Sequence, residues 1–75
     1  MARSPYQKLK PLYIMNYLLQ NSDEDHPVTM KQIVEYLDAQ GISAERKSVY
    51  DDLEALRVFG LDIVHVEAGL SLIHI

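Results

Sequence analysis

The side chains best suited to bind a charged or hydrogen-bonding ligand lie together in one short segment. Arg46 and Lys47 carry cations, Ser48 carries a hydroxyl and Tyr50 a phenol. Acids are the side chains expected near the positive end of a helix dipole, so cations at this predicted helix start indicate a phosphate partner. The same side chains can donate hydrogen bonds to base edges in a DNA groove. The segment therefore predicts a contact with nucleic acid.

A predicted helix over residues 44–59 must position these side chains. Val49, Leu53 and Leu56 recur at i, i+4 and i+7, so one face of the helix is predicted to be buried. Gly60 follows as a left-handed cap that ends it.

The predicted outward face of this helix assigns roles to the candidate residues. Lys47 and Tyr50 share that face, and we expect them to point toward bases. Arg46 and Ser48 lie at its flank, and we expect them nearer to phosphates.

Two further helices are predicted before this one. The first covers about residues 8–20, with Pro11 in its first turn, where a missing amide costs no hydrogen bond. The second begins at a capping box formed by Thr29 and Gln32 and closes at Gly41. The start of such a helix crosses the phosphate backbone in a helix-turn-helix, so Thr29 and Lys31 are further predicted DNA-binding residues, although Thr29 is first of all a cap.

Residues 48–56, followed by Gly60 and Leu61, resemble a known recognition helix. They read SVYDDLEAL, and the similar family is the DeoR-type winged helix-turn-helix domain of WYL-domain transcriptional regulators. That family usually has S/T, V/I, two positions that are often basic, then D-L-x-x-L and G-L/I. The resemblance covers about residues 8–66. The chain departs from the pattern at Tyr50 and Asp51, which replace the basic pair, and in its longer turn at residues 42–45.

The resemblance implies the fold, the function and the partners. The expected fold is mainly α, a three-helix winged helix-turn-helix with a short C-terminal β-strand or hairpin. The expected function is that of a DNA-binding domain of a transcriptional regulator, with the recognition helix of residues 44–59 in the major groove of double-stranded DNA. The complete protein is then expected to carry a WYL-type effector domain and to form a homodimer through the missing C-terminal region.

The C-terminal end departs most from that family. Residues 61–66 predict a strand, because they are rich in β-branched side chains and a turn follows at residues 67–69. Residues 70–75 (LSLIHI) lack the cations of a usual wing and resemble the translation of a transposon end used in preparing sequencing libraries. We expect the domain to cover residues 1–69, with residues 70–75 a non-native tail or a truncated wing that could pair with the strand, and the chain to be the front fragment of a longer protein.

The composition argues against a disulfide-bonded or membrane-spanning protein. The chain has 75 residues, a net charge of −4 and no cysteine, which fits one small domain without disulfides. No apolar run is long enough for a membrane span or a signal peptide, so the expected location is the cytoplasm. No cofactor or metal is predicted.

The acidic balance keeps an alternative open. Affinity for DNA depends on neutralising phosphates, and a net charge of −4 argues against it. The alternative is a winged-helix module for protein–protein interaction without DNA binding. A joint positive surface would favour DNA, formed by five cations: Arg3, Lys8, Lys10, Arg46 and Lys47.

Several carboxylates stand close together, but their spacing does not predict catalysis. Asp51, Asp52 and Glu54 share the third helix with no nucleophile or histidine at matching spacing, so we expect no enzyme. Asp52 is expected to pair with a basic residue such as Arg57 or to cap a neighbouring element. His65, in the predicted strand, is expected to be a surface or packed residue without chemistry.

Overall fold

The computed structural model describes residues 5–67 and 69–74. Within these residues, no helix is both long and apolar enough to cross a membrane.

Three helices precede a two-stranded hairpin. They are α1 (Pro5–Asn21), α2 (Met30–Ala39) and α3 (Arg46–Phe59), and the antiparallel strands are β1 (Asp62–Val66) and β2 (Gly69–His74). This order is that of a winged helix, so the predicted fold class is confirmed.

Helix α1 begins earlier than the sequence pattern predicted. It starts at Pro5, whose fixed φ and missing amide suit a first turn. Pro11 therefore lies in the helix interior, and its predicted place in the first turn was wrong. Because Pro11 has no amide hydrogen, it cannot donate to the carbonyl of Gln7.

Helix α2 has the start and the end that the sequence predicted. The amide of Gln32 donates to the hydroxyl of Thr29 at 3.0 Å, and the side-chain oxygen of Gln32 accepts from the amide of Thr29 at 2.8 Å. The predicted capping box is thus confirmed. Gly41 adopts φ 82° just beyond the helix, and the next amide, of Ile42, donates to the carbonyl of Leu37 at 2.9 Å.

The apolar stripe of α3 faces one continuous core. Val49, Leu53 and Leu56 are 0%, 3% and 6% exposed, which confirms the predicted facing of this helix. The stripe joins fully buried side chains from the other two helices, among them Ile14 and Leu37.

Three half-buried tyrosines border this core. The ring of Tyr36 lies 4.6 Å from that of Tyr17 and 6.4 Å from that of Tyr13, measured between centroids. These phenols therefore join α1 to α2 and do not form an exposed stacking surface.

The hairpin closes the remaining side of the core. Ile63 pairs with Leu72 and His65 with Leu70, and the buried Leu70 also bridges Val28 through two backbone hydrogen bonds of 2.7 and 2.8 Å. The predicted strand over residues 61–66 and its pairing with the tail are confirmed. The assignment of residues 70–75 as non-native stays a prediction, because an apolar segment of any origin can add to an open strand edge.

Candidate nucleic-acid interface

The first turn of α3 is open to solvent and carries two cations. Arg46 and Lys47 are its first two residues and both are exposed. Glu45 precedes them with an extended backbone (φ −98°, ψ 155°), yet its side chain caps no amide, and the first turn holds no acid. Glu45 therefore supplies no side-chain acceptor to the amides at this end, where the positive end of the helix favours an anion.

Ser48 is drawn toward the protein interior. It is half-buried, and its hydroxyl oxygen accepts a hydrogen bond from the ammonium of Lys10 on α1. A hydroxyl that accepts one bond can still donate its own hydrogen, so a contact from Ser48 to phosphate stays a prediction.

Tyr50 connects α3 with the hairpin. Its side chain is 43% exposed, and its ring lies 5.9 Å from that of His65 with 38° between the planes. His65 is exposed on β1 and packed against this tyrosine, in agreement with the sequence expectation. The contact limits the directions that the Tyr50 phenol can take relative to Lys47.

Sequence reasoning missed two residues at this cleft between α3 and β1. Arg57 and His65 line it together with Tyr50 and Glu54. Arg57 stands seven residues after Tyr50, so helical spacing could have placed it on the same side of α3. His65 had no such signal, because its position depends on how the hairpin packs.

A buried ion pair removes one cation from the expected positive surface. Lys10 is only 6% exposed, and its ammonium lies 3.0 Å from a carboxylate oxygen of Asp52. Asp52 does pair with a basic residue, but the expected partner Arg57 was wrong: Arg57 instead lies 3.2 Å from Glu54. The ammonium of Lys10 thus joins α1 to α3 within the domain.

Lys8 does not join the cations of α3 either. Lys8 is exposed, but it stands two residues from Lys10 and so about 200° around α1, on the opposite side. Arg3 lies outside the described residues. The exposed cations of α3 are Arg46, Lys47 and Arg57, and acids alternate with them at Asp51 and Glu54.

The two predicted contacts on α2 are both accessible. Thr29 is exposed while its hydroxyl caps the helix, and Lys31 is exposed in the first turn. Their contact with phosphate stays a prediction.

The acidic loop between α1 and α2 forms its own local contact. The Nδ1 of His26 lies 2.7 Å from a carboxylate oxygen of Asp23, whose other donor is the amide of Asp25 at 2.8 Å. The bond to His26 lowers the pKa of Asp23, and the same bond raises the pKa of His26. Within the described residues, no group of three or more His, Cys, Asp or Glu side chains could hold a metal ion.

Comparison with known proteins identifies the family. The model of the family described as FokI, D3 domain matches residues 6–68, which includes all of α2, α3 and β1. No curated protein and no solved structure matches the chain. The matching family consists of winged-helix-like domains related to DNA binding, and nothing in the comparisons supports the DeoR or WYL resemblance specifically. The chain belongs to the FokI D3 domain family.

Proposed function

We propose that this domain binds duplex DNA with α3 in the major groove. The observation that carries the proposal is the first turn of α3, where Arg46 and Lys47 are exposed beside amides that the Glu45 side chain does not cap. A helix start of this kind favours anions. It belongs here to a domain whose family is related to DNA binding, so backbone phosphate is the anion we assign to it.

Each exposed side chain of α3 takes a separate role in this proposal. Lys47 and Tyr50 point toward base edges, where an ammonium suits the two acceptors of guanine and a phenol can donate or accept. Arg46 binds phosphate at the groove wall, with Ser48 beside it. Thr29 and Lys31, at the start of α2, bind the adjoining phosphates.

Electrostatic support for binding is modest. Lys10 is neutralised inside the domain, and Lys47 is assigned to base edges. Among the described residues of this interface, the cations left for phosphates are Arg46 and Lys31, with Arg57 shared with Glu54. Two or three neutralised phosphates give a slope of about −2 to −3 for the logarithm of affinity against the logarithm of salt concentration. We therefore expect weak binding with a shallow salt dependence.

We further propose that the domain serves a cytoplasmic transcriptional regulator and carries no catalytic activity itself. Support comes from the resemblance of residues 48–56 to DeoR-type recognition helices, and from the carboxylates of α3, two of which are occupied in ion pairs. The WYL-type effector domain and the homodimer through a C-terminal region rest on that resemblance alone.

One observation favours the alternative of a protein-interaction module. Val58 and Phe59, at the end of α3, are 80% and 82% exposed. Large apolar side chains that are exposed next to each other are a common feature of protein interfaces. In this alternative the C-terminal end of α3 binds a protein partner, and the first turn of α3 does not bind DNA.

Selection from a pool of random duplexes tests the proposal without knowledge of the operator. We expect enrichment of a short shared sequence, and Lys47→Ala should then weaken binding to it by about 1–3 kcal/mol at fixed salt. The matched control is Lys8→Ala, measured in dilute protein at which any contact between copies is dissociated; it removes the same charge from the far side of α1 and should leave the affinity almost unchanged.

Two results would contradict the assignment. Equal losses for Lys47→Ala and Lys8→Ala would mean that only net charge matters and that α3 reads no base. A pool that shows no enrichment, together with no salt-dependent retention of any duplex, would leave the protein-interaction alternative as the function of this domain.

A further inference from the structure

Helix α1 is apolar on two sides, and the described residues cover only one of them. Ile14 and Leu18 face the core and are fully buried. On the other side, Leu9, Leu12 and Leu19 are 40%, 53% and 43% exposed. A helix that packs against a domain by one face ordinarily has charged or polar residues on the other, so a second apolar face marks an unfilled contact.

The exposed leucines lie in one stripe with a polar residue at its centre. Leu9, Leu12, Asn16 and Leu19 follow the spacing i, i+3, i+7 and i+10, which is the spacing of a helix–helix seam. A shallow groove of about 240 Å³ lies along the part of the stripe from Leu9 to Asn16, bordered by the half-buried Tyr13. The stripe therefore has the form that receives another helix.

Charge indicates which helix fits. Residues 9–22 contain one charged side chain, Lys10, and it is buried against Asp52. The chain as a whole has a net charge of −4, so two copies repel each other over most of their surface. They can approach along the outer face of α1, because the stripe from Leu9 to Leu19 presents no charge to the second copy.

The two ends of this face carry opposite charges. The exposed Lys8 precedes the stripe, and the exposed acids Asp23, Glu24 and Asp25 follow it. In an antiparallel pair, Lys8 of each copy lies beside the acidic loop of the other. In a parallel pair, cation meets cation and acid meets acid, which is unfavourable.

We propose that the outer face of α1 binds a second copy of this chain, antiparallel, about a two-fold axis at Asn16. In this register Leu12 packs against Leu19 of the second copy, and Lys8 faces Glu24 of the second copy. The side-chain oxygen of Asn16 accepts from Gln20 at 3.4 Å. Its amide nitrogen can then donate across the axis to the second copy's Asn16, whose oxygen has a further lone pair.

The size of the seam sets the expected strength. Three half-exposed leucines and one asparagine from each copy form an area well below the standard interface size of about 1,600 Å². The dimer is therefore weak, and it forms at high protein concentration. A symmetric contact of this kind closes on itself and does not extend into a fibre.

Cross-linking through the axis tests the geometry directly. The chain contains no cysteine, so Asn16→Cys introduces a single thiol. Helices packed 8–10 Å apart bring facing Cα atoms within disulfide range. Under mild oxidation, Asn16→Cys should form covalent dimers at least about tenfold faster than Val58→Cys, a control on α3 that is 80% exposed.

A charge reversal tests the antiparallel register. Lys8→Glu and Glu24→Lys should each raise the dissociation constant measured by sedimentation by about 2- to 30-fold, and the double variant should restore it. Within one chain Lys8 lies about 20 Å before the end of α1 at Asn21, and Glu24 follows that end, so the two side chains are separated by more than the screening length at physiological salt. Restoration would therefore report contact between copies.

The overturning results are equally definite. Equal cross-linking rates for Asn16→Cys and Val58→Cys would show that the two-fold axis does not lie at Asn16 on α1. If the double variant Lys8→Glu/Glu24→Lys associates no more tightly than the single variants, the antiparallel register is wrong. Self-association unaffected by both sets of variants would place the contact elsewhere, for example on the hairpin edge.

Discussion

Replacing Lys10 by methionine should lower the free energy of unfolding by about 3 kcal/mol. The substitution keeps an unbranched apolar side chain in a position that is 6% exposed and removes the ammonium. One carboxylate oxygen of Asp52 is buried, and the ammonium 3.0 Å away is the charge that balances it. Breaking a buried pair by removing one member costs about 3–5 kcal/mol. The Asp52 side chain is 20% exposed, so we expect the lower end of that range.

This loss is large for so small a domain. At about 0.05–0.15 kcal/mol per residue, a chain of 75 residues has a total stability of about 4–11 kcal/mol. Urea unfolding followed by circular dichroism should therefore show a clearly lower midpoint with a similar slope. The double variant Lys10→Met/Asp52→Leu should recover most of the stability, because it removes the unpaired charge as well.

The control for this experiment is Lys8→Met, two residues away and exposed. It should change stability by less than about 0.5 kcal/mol. The reasoning would be refuted if Lys10→Met were as stable as Lys8→Met, or if the double variant were no more stable than Lys10→Met. Either result would mean that the unpaired Asp52 carboxylate does not lower the free energy of unfolding.

Three further outcomes can be checked by unfolding experiments. Leu53→Ala, at a core position that is 3% exposed, should cost about 2–5 kcal/mol, and an unchanged melting curve would mean that α3 faces the core differently. Thr29→Ala removes the hydroxyl that accepts from Gln32 and should cost about 1 kcal/mol in a urea titration. The contribution of the Asp23–His26 bond should be present near about pH 5 and be lost as pH rises through the raised pKa of His26, or falls through the lowered pKa of Asp23. Wild type and His26→Gln should therefore differ near about pH 5 and converge near about pH 9, and a difference that is constant with pH would refute this.

The helix boundaries and the buried helix face that the sequence predicted correctly have local signals. The capping box depends on two residues three positions apart, and the helix ends depend on Gly41 and Gly60. The burial of Leu53 follows from helical spacing within one segment. Each signal lies within about ten residues of its effect, so no knowledge of tertiary packing was needed.

The features that sequence missed are set by tertiary packing. Lys10 looked like a surface cation, and its pairing with Asp52, 42 residues away, has no local pattern. The contact of Tyr50 with His65 likewise joins a helix to a strand through the packing of the hairpin. Pro11 misled the prediction for a different reason: the usual preference of proline for a first turn suggested a later helix start than Pro5.

Because Lys10 is paired with Asp52 inside the domain, it does not contribute to DNA binding by this acidic chain. One copy of the domain has few exposed cations that can bind phosphates. Helix α3 packs against the side of α1 that carries Lys10. The proposed contact between copies lies on the other side of α1, so it would leave the first turns of both α3 helices exposed. Two joined copies could engage twice as many phosphates if the spacing of a duplex site matches the pair, and the salt slope would then about double. A slope that stays near that of one copy when the protein is dimeric would mean that the two α3 helices do not bind the same duplex.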